Sequence, residues 1–581
     1  MRVQSLLLPN INFQQSEDLY FKGDNRNYTY VYDDGLYIHK QGTVDFNSYY
    51  NAFFVKEWLE NTNVNEFQYN LDIEGEYYLT VVHTDITGIQ KVLLQKKCNT
   101  NGNTVFNLNL DKIKSGYIYF KIEAITETQI KSGYISTNAS IIREVKLAII
   151  ITHFNRVDYV KPAIERIKEQ LLDDNFFGDL ASLYVIDNSK NINLEENYHS
   201  KITVIKNKNL GGSGGFCRGL LEAESTQKYT HCLFMDDDAS CEIDSIKRTI
   251  SFLMYAIDPN LSVSGALFRE LESNRLIEKG GFFDGMAKPL SHNLSMSDNK
   301  EMLLSVTSKT KPNYGAWWFF AFPIDKVKYY PFPFFVRGDD IQFSLLNKFN
   351  IITLMGVGCI GEDFGLKSSP MTRYLDTRHT LVQNIAVEHL SYLYIVKNAA
   401  KFFFGALLGF NYDSARCASL AISDFCKGAR FWEENIDMSE IRAEIGKKFN
   451  NEKMIDIELD KLDTILIPPL AERRFRKIIR KISIQGLLLP NFLFRKKILI
   501  QPKHSSIDLV ASFRAKKILH YYEPFGKGYI TEFNRYRISK EILFFIKQLI
   551  KLKYKFKRLN KEYQIAIDLY TSKTFWKEIY K

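Results

Sequence analysis

A multidomain α/β protein is predicted, from three observations. Short alternating apolar runs split by Gly, Asn and Asp turns fill the first quarter of the chain, apolar strands alternate with helical stretches through its middle, and the rest reads mostly helical. The expected order is an N-terminal β-sandwich (residues 1–143), a central Rossmann-like parallel sheet (144–388) and a mainly helical C-terminal domain (389–581). At 581 residues the chain exceeds what one core supports, and 45% hydrophobic against 25% charged residues makes it globular rather than disordered.

In the first region, Tyr77 to Val82 and Tyr117 to Ile122 have the period-two pattern of half-buried strands. In the second, Leu147 to Ile151, Leu183 to Ile186, Ile202 to Ile205 and Cys232 to Met235 are continuous apolar runs, with a helical stretch at Tyr159 to Leu172. That is βαβ order, which implies parallel pairing. In the third, Pro468-Pro469, Pro490 and Pro502 act as breaks.

Charge is uneven. Residues 471–581 carry 27 Lys and Arg against 8 Asp and Glu, while the whole chain is only +10. Arg473 to Ile482 and Ile550 to Arg558 interleave cations with large apolar groups, so an anionic membrane surface is the expected partner. No nucleic-acid reader motif accompanies the charge, and no nucleic acid is expected. No apolar stretch reaches spanning length, no secretory signal is visible, and seven Cys without CxxC pairs suggest reduced thiols.

In a parallel sheet, ligands gather at the carboxyl ends of the strands. There the first strand runs into Thr152-His153-Phe154-Asn155-Arg156, the second into Asp187, and the fourth into Asp236-Asp237-Asp238. Three adjacent carboxylates need a cation among them, and alternate ones can share a hard divalent ion with phosphate oxygens. Arg156 can neutralise a diphosphate, and Asp187 can accept hydrogen bonds from a base or ribose. After the third strand, Asn209-Leu210-Gly211-Gly212-Ser213-Gly214-Gly215 precedes a helix expected from Leu220, a string suited to close approach of backbone to an anion. Trp317 and Trp318 offer rings for sugar stacking, although two core Trp would fit the same apolar surroundings. Asp339 and Asp340 end another apolar run, where one carboxylate can cap the next helix while the other deprotonates an acceptor hydroxyl.

Together with Asn47 to Trp58, these strings resemble the bacterial galactofuranosyltransferases, inverting enzymes of the GT-A fold that polymerise galactofuranose from UDP-galactofuranose onto lipid-linked glycans. The resemblance implies a GT-A central domain and transfer to a growing surface polysaccharide on the cytoplasmic face of the bacterial inner membrane. It implies Mn2+ or Mg2+ on Asp236 and Asp238, Asp340 as general base, and Trp317, Trp318 and Asp339 at the acceptor. Arg156, Asp187, Asn209, Gly211, Gly212, Ser213, Gly214 and Asp237 would contact the donor. Gly361 stands where the family has a metal-binding His, so the third ligand is open among Glu362, Asp363 and His379. Another nucleotide sugar such as UDP-galactopyranose, or a non-catalytic glycan-binding subunit, is the alternative, and a homo-oligomer is left open.

Overall fold

A computed structural model describes residues 1–10, 13, 15–24, 26–32, 34–108, 110, 113–195, 198–467, 472–503 and 508–581. The expected break at Pro468-Pro469 lies outside the described residues.

The N-terminal module is one antiparallel sheet of ten strands. Its longest members, Phe67–Thr84 and Gln90–Leu108, pair along their whole length. On the other edge of Phe67–Thr84, residues up to Glu74 pair with Thr128–Ser136, and residues from Tyr77 pair with Tyr117–Ala124. Gly75, at φ +129°, sits where the partner changes; a Cβ there would lie 2.7 Å from Thr128 Oγ1. The predicted sandwich is thus built as a single sheet that divides rather than as two separately bonded ones.

The central domain is organised on seven strands in the order Ile202–Lys206, Ala181–Asp187, Leu147–His153, His231–Asp236, Phe320–Pro323, Leu261–Ser264, Asn350–Ile352. The first four pair in parallel, as the apolar runs predict, while Phe320–Pro323 runs antiparallel to both neighbours. Strand residues alternate between two cores: Leu147, Ile149 and Ile151 pack with the N-terminal module, Ala148 and Ile150 with the C-terminal helices. Tyr49 and Trp58, from the string singled out near the N-terminus, fix the first of these contacts. The Tyr49 hydroxyl donates to the Val357 carbonyl at 2.9 Å, and Trp58 meets Phe252 edge-on. A second sheet joins Ser240–Cys241, Gly358–Gly361, Ala266–Arg269 and Leu276–Glu278 beside the first.

Beyond residue 388 the helices Tyr392–Leu407, Tyr412–Phe425 and Arg535–Tyr570 dominate, accompanied by a five-stranded sheet that the sequence did not suggest. The last helix, Lys573–Ile579, returns to the central domain. Trp576 Nε1 donates to the Pro331 carbonyl at 2.7 Å, and the Tyr580 hydroxyl donates to the Gly214 carbonyl. All seven cysteines are buried and unpaired, in keeping with reduced thiols. No described helix is long and apolar enough to cross a membrane.

The glycine string begins a helix at Gly211, nine residues before the expected start. Glycines there cost helix propensity but allow contact with the sheet: a Cβ on Gly215 would lie 2.2 Å from Thr152 Cγ2, and one on Gly219 2.3 Å from Ile150 Cγ2. Gly219→Ala should therefore overpack this contact and destabilise by about 1–3 kcal/mol. Gly405, helical and exposed with nothing within 4 Å of its Cβ direction, should gain about 0.5–1 kcal/mol as Ala. Thermal and urea unfolding of the two variants should move in opposite directions; a neutral Gly219→Ala would contradict the packing account.

Candidate active site

A cavity of about 590 Å3 opens at the carboxyl ends of the central strands. Its wall includes Arg156, Gly212, Asp236 to Asp238, Trp317, Trp318, Asp339 and Asp340, so most of the sequence-selected residues meet in one place.

The triple aspartate divides its tasks. Asp237 Oδ2 accepts from the Phe154 amide at 2.9 Å and lies 3.1 Å from His153 Nδ1, fixing the loop after the first strand. Asp238 Oδ2 takes 2.7 Å bonds from both Arg156 Nη1 and Lys367 Nζ. Burial, and then the charge on Asp238, push Asp236 up to about 8, with Lys367 opposing.

Elsewhere on the cavity wall, the loop before the second aspartate pair is bent through left-handed backbone at Phe335, Arg337 and Gly338. Gly338 is required there, since a Cβ would strike the His379 ring at 2.4 Å. The helix Asp339–Asn347 then starts with both carboxylates in its first turn. Asp339 Oδ2 accepts from Ser213 Oγ at 2.9 Å and so ties this helix to the glycine helix; burial and the Asp340 charge raise it to about 7. Asp340 Oδ1 accepts only from its neighbour's amide, Ile341 N, at 2.8 Å, and burial raises it to about 6. Its other oxygen is left available to a hydroxyl.

The glycine helix presents its amino end to the same space, with Gly212 on the cavity wall. Gly211, at φ +70°, passes so close to the Phe335 carbonyl that a Cβ would lie 2.1 Å from it. Asn209 Oδ1 accepts from the Gly211 amide at 3.1 Å, and Gly214 packs on Leu210, so these two shape the turn.

Other selected residues stand elsewhere. Asp187 is fully buried, and its oxygens accept from the amides of Ser189, Lys190 and Ile192, which shapes the neighbouring loop rather than the cavity wall. Trp317 packs edge-on against Phe216, Phe234 and Phe343, with only a margin on the cavity. Trp318 is more open and donates Nε1 to the Gly265 carbonyl at 3.2 Å.

Two cavity residues escaped the sequence reading. Glu278 is buried at the end of its strand, with one oxygen unpartnered and the other 3.5 Å from the Tyr314 hydroxyl; burial and the Asp340 charge push it well above the usual carboxylate range. A charged residue in the run Leu276-Ile277-Glu278 was the available signal. Lys367 had no such signal.

Asp236 and Asp238 supply two carboxylates for a divalent ion, but no group of three His, Cys, Asp or Glu able to hold one occurs among the described residues. Asp363 caps the helix Phe364–Lys367 and lies 3.7 Å from Arg269. His379 is buried under Gly338, and burial lowers it to about 4. Glu362 pairs with Arg156 at 2.9 Å. This donor set fits an ion shared with ligand oxygens and water, and not a cage made by protein alone.

Residues 3–138 match the family model for the galactofuranosyltransferase 2 N-terminal domain, and residues 148–320 match glycosyl transferase family 2. Galactofuranosyltransferase GlfT2 of Mycobacterium tuberculosis (strain ATCC 25618 / H37Rv) is 24% identical over 333 residues, covering 53% of this chain and 52% of that protein. GlfT2 of Mycolicibacterium smegmatis (strain ATCC 700084 / mc(2)155) is 23% identical over 334 residues with the same coverage. The chain thus matches about half the length of these curated relatives. Among solved structures, the mannosyltransferase PcManGT of Pyrobaculum calidifontis with GDP-Man and Mn2+ has a TM-score of 0.29 at 14% identity, covering 49% of this chain and 76% of that one. Glucosyl-3-phosphoglycerate synthase of Mycobacterium tuberculosis has 0.27 at 10%, covering 41% and 78%. Likenesses this remote carry no argument. The chain thus carries, in this order, a galactofuranosyltransferase 2 N-terminal domain and a glycosyl transferase family 2 domain, and is similar to two galactofuranosyltransferases.

Proposed function

We propose that the protein is an inverting glycosyltransferase that moves galactofuranose from UDP-galactofuranose to a hydroxyl of a growing lipid-linked glycan. The observation that carries this is one cavity bordered by a carboxylate with a free oxygen, Asp340, and by a helix amino end, Arg156 and an aspartate pair. Such groups suit an acceptor hydroxyl and a nucleoside diphosphate respectively.

In a single displacement, Asp340 takes the acceptor proton as the hydroxyl oxygen attacks the anomeric carbon, and the bond to the diphosphate breaks with its electrons leaving on UDP. Asp339 holds the base-bearing helix against Ser213, and Arg156 faces the leaving diphosphate. Trp318, on the same cavity wall as Asp340, offers its ring to the acceptor sugar, while Trp317 fills the aromatic core beneath the cavity. Asp187 and Asn209 act through the loops they shape. Asp236 and Asp238 would hold a divalent ion, which when bound supplies Lewis-acid stabilisation of the departing charge.

A panel of nucleotide sugars with a synthetic lipid-linked galactoside, read by mass spectrometry, should give transfer with UDP-galactofuranose and little with UDP-galactopyranose; the reverse preference would overturn the donor assignment. Asp340→Asn should nearly abolish transfer with UDP affinity retained, because the loss falls on the transition state. Since Asp340 accepts a proton only when ionised, wild-type kcat/KM should fall as pH drops through about 6. A flat profile from pH 5 to 8 would contradict its role as base. Chelation by EDTA should abolish transfer, and Mn2+ should bind weakly without UDP; full activity in EDTA would remove the ion from the account.

Peripheral attachment to an anionic membrane belongs to the same proposal. The helix Arg474–Ile482 buries none of its residues, and Phe475 and Ile482 are 75% and 73% exposed among Arg473, Arg474, Lys477 and Lys481. An apolar stripe rimmed by cations suits the interface of such a bilayer. Phe475→Ser with Ile482→Ser should weaken co-sedimentation with anionic vesicles while circular dichroism is unchanged; undiminished sedimentation would reject this helix as the contact.

A further inference from the structure

Gly361 closes its strand without a side chain, and a Cβ there would meet Leu267 Cδ1 at 2.9 Å. Six residues on, the short helix Phe364–Lys367, capped by Asp363, ends with Lys367 inside the cavity. Lys367 Nζ lies 2.7 Å from Asp238 Oδ2 and 3.5 Å from Glu362 Oε2. Arg156 closes the figure from the other side, 2.7 Å from the same Asp238 oxygen and 2.9 Å from the same Glu362 oxygen. Two cations and two carboxylates therefore form a ring. Arg156, Lys367 and Asp238 border the cavity, with 32%, 30% and 10% of their side chains exposed, while Glu362, 27% exposed, holds the two cations from outside its lining.

We infer that Lys367 is a diphosphate-binding residue, forming with Arg156 a clamp on the donor. The inference rests on the donor reading given under Proposed function. A salt-bridge ring that served only folding would have no need to turn its cations towards a large cavity beside a helix amino end. Here a guanidinium and an ammonium converge on one Asp238 oxygen, and a diphosphate, with its several acceptor oxygens, can take both over. The exchange also frees Asp238. While Arg156 and Lys367 hold its Oδ2, that carboxylate is a poor ligand for a divalent ion; once the diphosphate draws them away, it is available. Nucleotide and metal binding are thereby coupled, each favouring the other, with Lys367 as the link.

The test is calorimetric titration of UDP in EDTA, and of Mn2+ without nucleotide, on wild type, Lys367→Ala and Lys367→Arg. Lys367→Ala should weaken UDP about tenfold or more in EDTA, the loss of a charge-assisted bond. It should at the same time tighten Mn2+ binding in the absence of UDP, because Asp238 loses a competing partner. Lys367→Arg should recover most of the UDP affinity. A folded Lys367→Ala that binds UDP in EDTA within twofold of wild type overturns the clamp, as does unchanged Mn2+ affinity. Wild type that fails to bind UDP in any condition overturns the donor reading beneath it, and so separates the two failures.

Discussion

Crowded negative charge is the constraint on which the site depends. Asp236, Asp237, Asp238, Asp339, Asp340 and Glu278 all border one cavity, and in such surroundings burial and mutual repulsion raise carboxylate pKa values unless positive charge is brought among them. The fold relieves the repulsion unevenly. Asp237 is satisfied by a backbone amide and His153, Asp238 by Arg156 and Lys367, and Asp339 by Ser213. Asp236, Asp340 and Glu278 are left least compensated, Glu278 with one oxygen unpartnered.

Holding the elements that carry these groups in place is the work of the sheet and of what packs on it. Alternate residues of the first core strand enter two different hydrophobic cores, so the carboxyl end of that strand is fixed from both sides. The N-terminal module presses on one face through Tyr49 and Trp58. The C-terminal helices press on the other, and Tyr580 reaches the glycine helix itself. A site assembled from loops gains precision when its strands and helices are clamped in this way.

Much of this was legible in the sequence, for physical reasons. Strands buried on both faces are continuous apolar runs, so the four parallel strands stood out, and with them the polar residues at their ends. Where propensity and packing conflict, legibility failed: Gly211 to Gly219 reads as a loop, yet it is helix because only glycine permits its contact with Thr152 and Ile150. The small C-terminal sheet was hidden because strands such as Ile498–Pro502 sit among Arg and Lys that mark a solvated surface. Glu278 and Lys367 were missed because each is a single charged residue whose partners, Tyr314 for the one and Asp238 for the other, are distant in sequence. Conversely, Asp187 and Trp317 were chosen for chemistry, and their side chains serve mostly to shape a loop and to fill an aromatic core.

The most direct test of the central claim is stereochemical. With UDP-galactofuranose and a galactofuranosyl acceptor, NMR of the isolated product should show one new furanoside linkage whose anomeric configuration is opposite to that of the donor, as a single displacement by a hydroxyl activated at Asp340 demands. A product that retains the donor configuration, or hydrolysis of the donor with no new linkage, would contradict the account.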